Sequence, residues 1–257
     1  MQERGRLPLF LCLAFLLPLP CALLMGRTGC AGLDFLLYGA AAAAPSVAAL
    51  LTAFLGGGRA EVRAFLARSF TPRLSGGCLA LAVVLPLLQF LLPWLLSCAV
   101  AGASLTPARL SGSEVVVILW ALVAEEGGWR GLLQGALTQR LPARWVPPAV
   151  GAIWALWHYH FYLAGWMETP FLLLAASCIL DSYLYDWLWR RGGGNLLPAM
   201  LYHCTGNGFL HLFAPVSASG SSVFAALLPL AIALAEGAIL AVLDRRRLPD
   251  KAPPFAK

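Results

Sequence analysis

Charge is what this sequence has least of. Only 12% of its 257 residues are Asp, Glu, Lys or Arg, where a soluble domain carries roughly a quarter. Hydrophobic residues make up 60%. That balance excludes a soluble globular protein and leaves an all-α, polytopic bundle of transmembrane helices. Other absences narrow the chemistry. The seven cysteines are odd in number, form no CxxC pair and lie mostly in apolar runs, so they read as small apolar fillers and not as a disulfide framework or zinc cluster. HExxH is absent. No Gly-Lys-Ser/Thr follows Gly192, Gly193 and Gly194, so these glycines make a turn and not a phosphate cradle. No basic patch is interleaved with exposed aromatics, so the net charge of +6 does not imply nucleic acid. No internal repeat of the kind many transporters carry is visible.

What is present is a series of long apolar runs. Eight spans are expected, at about 7–25, 33–55, 78–100, 118–137, 146–165, 170–189, 195–213 and 222–242. Arg4 and Arg6 ahead of the first run resemble the lead-in of a cleaved signal peptide. The run is longer than a signal core, however, and Pro18 and Pro20 interrupt it, so a retained, kinked span is the reading. Between the second and third spans lies AEVRAFLARSF, which suits an amphipathic helix on the membrane surface. Ser111 and Glu114 have the spacing of a capping box. With eight spans, fifteen of the 18 Lys and Arg fall on one side of the membrane, which places both termini in the cytoplasm. Three parts are expected: N-terminal spans and a basic connector (1–113), a polar-centred helix core (114–213), and a last span with a basic tail (214–257).

The fourth span, ILWALVAEEGGWRGLLQGAL, sets the question of function. It holds Glu125, Glu126 and Arg130 in its middle, and charged groups in hydrocarbon must turn inward. Glu126 and Arg130 are four apart and can pair on one helix face. Glu125 lies about 100° round from Glu126 and has no obvious local partner. A buried carboxylate of that kind is what a general base requires.

Two other spans carry groups that could meet it. The fifth has His158 and His160, of which at most one faces the site. The seventh has His203, Asn207 and His211, with His203 and Asn207 one turn apart. Counted from the helix ends, Glu125 lies about 21 Å deep, His158 and Asn207 about 18 Å, and His203 about 12 Å. Helices with no common site have no reason to match polar depths in this way. A lone buried histidine often does no more than bond a carbonyl, and that reading applies to His160 and His211. Asp34, Asp181, Asp186 and Glu236 are left for water or for arginines near the helix ends.

Three motifs now stand in order on three spans: EExxxR from Glu125 to Arg130, aromatic-xxx-His from Trp154 to His158, and HxxxN from His203 to Asn207. Together they resemble the CPBP family, which includes CAAX prenyl proteases of the Rce1 type and bacterial bacteriocin-processing or immunity proteins. The resemblance covers roughly 114–213. It departs at Trp154, where the family usually has Phe; a change of cavity shape is expected there, with the chemistry unchanged.

The resemblance implies an intramembrane endopeptidase acting on a membrane protein or a lipidated, hydrophobic peptide in the lipid bilayer. Glu125 and His158 would activate a water, and Asn207 with His203 would donate to the oxyanion. Glu126, Arg130 and Trp154 would support them. No cofactor is required on this reading. Glu125, His158 and His203 also form an acceptable zinc set, which keeps a metalloprotease as the rival. Two non-proteolytic classes suit the same residues. A proton-coupled transporter would use them as a relay, and an immunity or scaffold protein would tolerate loss of Glu125.

Overall fold

The computed structural model describes residues 3–72, 74–214 and 222–244. The basic tail expected beyond residue 244 and Arg73 lie outside the described residues. Among those described, all regular structure is helical. Helices α1 (Glu3–Leu16) and α2 (Pro18–Leu24) form the first apolar run, broken at the proline that opens α2. A proline lacks the N–H that would continue the ladder, yet suits a helix start. Helices α3 (Ala31–Ala42) and α4 (Ala44–Ser69) meet at a 52° bend beside Pro45. Within α4 the chain kinks again at Gly57 and Gly58; Gly58 has φ +63°, a conformation that a side chain would strain.

The half of α4 beyond that kink is the arginine-rich connector. It folds onto the bundle instead of standing free: Phe65 and Ser69 are buried, and the Ser69 carbonyl accepts from Leu196 N at 2.8 Å. Arg6 and Arg68 both reach Glu61 at 2.9 Å, tying α1 to this segment.

Helix α5 (Gly76–Ala101) is unbroken despite two internal prolines. Helix α6 (Gly112–Ala124) starts at the predicted capping box: Ser111 Oγ accepts from Glu114 N at 3.3 Å, and Glu114 Oε2 accepts from Ser111 N at 2.7 Å. It then stops at Glu125. A π-helical segment, Gly127–Gln134, follows, and one turn of α7 (Gly135–Thr138) ends the run. Helices α8 (Val146–Trp157) and α9 (Tyr159–Leu163) are likewise split, at His158. Helices α10 (Phe171–Arg191), α11 (Leu197–Leu212) and α12 (Ser222–Asp244) complete the bundle.

Three described helices are individually long and apolar enough to cross a membrane, and four if the bent α3–α4 pair is one span. The eight spans expected from the sequence do not appear as eight unbroken helices. The fourth and fifth runs are interrupted where their polar residues sit, because a ladder broken by Glu-Glu-Gly-Gly or at a histidine leaves pieces too short to qualify.

Packing places the broken run at the centre. Helix α8 lies along α10, α11 along α5 and α6, and α4 against the π-helical segment. The last contact depends on a missing side chain. A Cβ on Gly128 would lie 2.6 Å from the backbone of Pro45, so only glycine lets the two kinks meet. Helix α11 is pinned to α5 by Thr205 Oγ1, which donates to the Ala82 carbonyl at 2.8 Å, and by Tyr202, whose hydroxyl donates to Gln89 Oε1 at 2.9 Å.

Candidate active site

The break in the fourth run is what aims its carboxylates. Glu125 leaves α-helical geometry at φ −120°, and its carbonyl accepts from both Gly128 N (2.9 Å) and Trp129 N (3.1 Å). The π-helical turn after it is a rare form that recurs at functional sites. Here it sets Glu126, Arg130 and Gln134 along one buried line facing α10. Arg130 bonds Ser182 at 3.3 Å and Gln134 bonds Asp186 at 3.1 Å.

Glu126 and Arg130 are fully buried and form the expected ion pair at 3.0 Å. The guanidinium is sandwiched, 3.6 Å from the Tyr185 ring centroid and 4.7 Å from that of Trp154. Glu126 also does something the sequence did not disclose. Its Oε1 accepts from His203 Nδ1 at 2.8 Å, so one oxygen holds both the arginine and a histidine from α11. His203 Nε2 then points toward Glu125, 4.0 Å from Oε1.

Glu125 is buried, and the expectation that it lacks a local partner is wrong. Trp129 Nε1 donates to its Oε2 at 3.0 Å, and Trp154 Nε1 donates to the same oxygen at 2.8 Å. Trp129 sits one turn on in the chain, so its spacing could have revealed it; a search for charged partners passes over an indole N–H. Trp154 therefore does more than shape the cavity.

His158 is buried at the α8–α9 break. Its Nδ1 lies 2.8 Å from the Trp154 carbonyl. A carbonyl only accepts, so Nδ1 carries the hydrogen and, in the neutral ring, Nε2 keeps a lone pair. The ring is 5.8 Å from that of Trp154. Asn207 lies one turn beyond His203, half-buried, and its amide makes no hydrogen bond among the described residues.

Residues outside the centre sort as follows. His160 bonds the Trp157 carbonyl at 2.7 Å and is fully buried. His211 does not bond a carbonyl as expected; it pairs with Glu114 at 3.3 Å at the half-exposed start of α6. Asp34 caps a loop through Thr28 and Gly26. Asp186 pairs with Arg190 at 2.8 Å. Asp181 accepts from Gln89 and Tyr202, while both carboxyl oxygens of Glu236 are buried without a hydrogen-bond partner.

Residues 112–209 match the family model described as Rce1-like, type II CAAX prenyl endopeptidase. The core of the chain is thus similar to that family. The matched stretch spans α6 to α11, the helices that carry all three motifs. No curated protein matches the chain. The Rce1-like family is one of CAAX-type intramembrane endopeptidases, and the long apolar helices beside the matched core support an integral membrane protein.

Proposed function

We propose that this protein is an intramembrane endopeptidase that hydrolyses a peptide bond in a membrane-associated, prenylated or strongly hydrophobic substrate, by CAAX-type processing or peptide maturation. One observation carries the reading: His203, brought from α11, lies between the two carboxylates of the broken helix, 2.8 Å from Glu126 and 4.0 Å from Glu125. Two buried carboxylates against one guanidinium leave a net negative charge. An imidazolium on His203 balances it, and buried charge is tolerated only when balanced. In that form Nδ1–H stays on Glu126 and Nε2–H is free to donate.

The steps follow from the donors and acceptors. A water gives one hydrogen to the lone pair of His158 Nε2 and the other to Glu125 Oε1. Its oxygen attacks the scissile carbonyl carbon as Oε1 takes the proton. The oxyanion receives hydrogen bonds from the free amide of Asn207 and from His203 Nε2–H. A preorganised donor of this kind lowers the barrier by about 3 kcal/mol. Collapse breaks the C–N bond, and the proton held on Oε1 passes to the leaving amine. Glu126 and Arg130 hold the helix and the imidazolium in place.

The donor set does not favour zinc. Among the described residues no three His, Cys, Asp or Glu side chains converge as metal ligands. Orientation is taken from the arginines, with the ends bearing Arg59, Arg140 and Arg190 in the cytoplasm. The test is cleavage of a prenylated CAAX peptide by the purified protein, with metal content measured and the assay repeated after chelation. Metal-free, chelator-resistant cleavage is expected. Stoichiometric zinc whose removal stops cleavage would replace the glutamate mechanism with a metal one.

A further inference from the structure

Glu125 is bonded in an unusual way: two indoles donate to one of its oxygens and none of the described residues hydrogen-bonds the other. Trp129 Nε1 is 3.0 Å and Trp154 Nε1 2.8 Å from Oε2, while Oε1 lies 4.0 Å from His203 Nε2. A buried tryptophan needs only one acceptor for its single N–H, and a backbone carbonyl can serve: buried Trp157 donates to Ala14 O at 3.0 Å. Convergence of two indoles on one carboxylate oxygen is therefore more than the disposal of buried N–H groups.

Both rings are themselves immobilised. Trp129 is fully buried, edge-on to Phe10 at 6.0 Å and to Trp157 at 5.5 Å. Trp154 is held edge-on to Tyr185 at 5.8 Å and covered by the Arg130 guanidinium. The last torsion of a glutamate is broad and nearly two-fold, so an unrestrained carboxyl would exchange its oxygens freely. With Oε2 clamped from two elements, rotation costs two charge-assisted hydrogen bonds at once.

We infer that Trp129 and Trp154 are positioning residues that fix Oε2 of Glu125 and present Oε1 alone to the reacting water. This rests on the protease reading above. It assigns the proton to one atom: Oε1 takes it from water and returns it to the leaving amine, while Oε2 stays hydrogen-bonded throughout.

The test compares Trp129→Phe, Trp154→Phe and the double variant, each keeping a ring and losing the N–H. Each single variant is expected to lower kcat by about tenfold to a hundredfold with KM unchanged. The double variant should lose more than the product of the singles, because the remaining indole still restrains a half-released carboxylate. Trp157→Phe removes an indole N–H that bonds only backbone; it should reduce stability and leave kcat per folded molecule unchanged. Should Trp154→Phe misfold, 3-benzothienyl-alanine at position 154 keeps the bicyclic shape without the N–H, and kcat must fall as above. Wild-type kcat in both single variants, with Glu125→Gln inactive, would overturn the clamp and leave the protease reading standing. Full activity in Glu125→Gln would overturn both.

Discussion

Replacing Glu126 by Gln should unfold the protein more readily, and the size of the effect can be worked from its surroundings. Glu126 and Arg130 are both wholly inaccessible to solvent and bonded at 3.0 Å. Removing one charge of a buried pair costs about 3–5 kcal/mol, because the other is left uncompensated. Part is recovered. A glutamine carbonyl oxygen can still accept from Arg130 or His203, worth about 1 kcal/mol, and Tyr185 and Trp154 still face the guanidinium. A net loss of about 3 kcal/mol follows. For a chain of this size that lowers Tm by about 6–12 °C. Glu125→Gln is the comparison: its amide oxygen can accept from both indoles and no buried cation is orphaned, so its Tm should stay close to wild type. Unfolding in detergent can be followed by a thiol-reactive dye, because Cys78, Cys98, Cys178 and Cys204 are buried. Equal melting of Glu126→Gln and wild type would refute the claim that Glu126 balances Arg130.

The other predictions concern the oxyanion and the arginine-rich connector. Asn207→Ala should cut kcat by about 10²–10³ with KM nearly unchanged, since the donor acts where charge develops; Asn207→Asp should be worse, whereas a proton relay would prefer Asp to Ala. Glu61 lies in the connector, beyond the span expected at 33–55, and its carboxyl is held below its ordinary value of 4.5, first by the hydrogen bond from Arg68 and then by that from Arg6. The folded-state value is the lower one, so the stabilisation is complete above the ordinary value and is lost as pH falls through the folded value. A Tm difference between wild type and Glu61→Gln should therefore be present at pH 7 and vanish in acid; a difference that persists when the carboxyl is protonated would refute the link.

Much of the site could be read in the chain because it depends on spacing. The i,i+4 relation of Glu126 to Arg130 follows from helix geometry alone, as does the capping box at Ser111. What stayed hidden depends on departures from that geometry. A π-helical turn leaves no periodic signature, so the run at 118–137 reads as one regular helix. The sharing of Glu126 by Arg130 and His203 is a contact across 77 residues, set by how α11 packs. Trp154 was visible as an aromatic, but only its ring orientation tells whether its N–H meets Glu125 or a backbone carbonyl. The pressing of Gly128 on Pro45 is of the same sort: the glycine is plain in the sequence, and its reason lies in another helix.

The most direct test of the central claim is peptide-bond hydrolysis that depends on Glu125. Purified protein in lipid nanodiscs is given a prenylated CAAX peptide in water enriched in ¹⁸O, and the products are weighed by mass spectrometry. The account predicts one ¹⁸O in the newly formed carboxylate for wild type, and product at background for Glu125→Gln, which should melt at close to the wild-type temperature. Labelled product from Glu125→Gln at the wild-type rate, or no product from folded wild type, would contradict it.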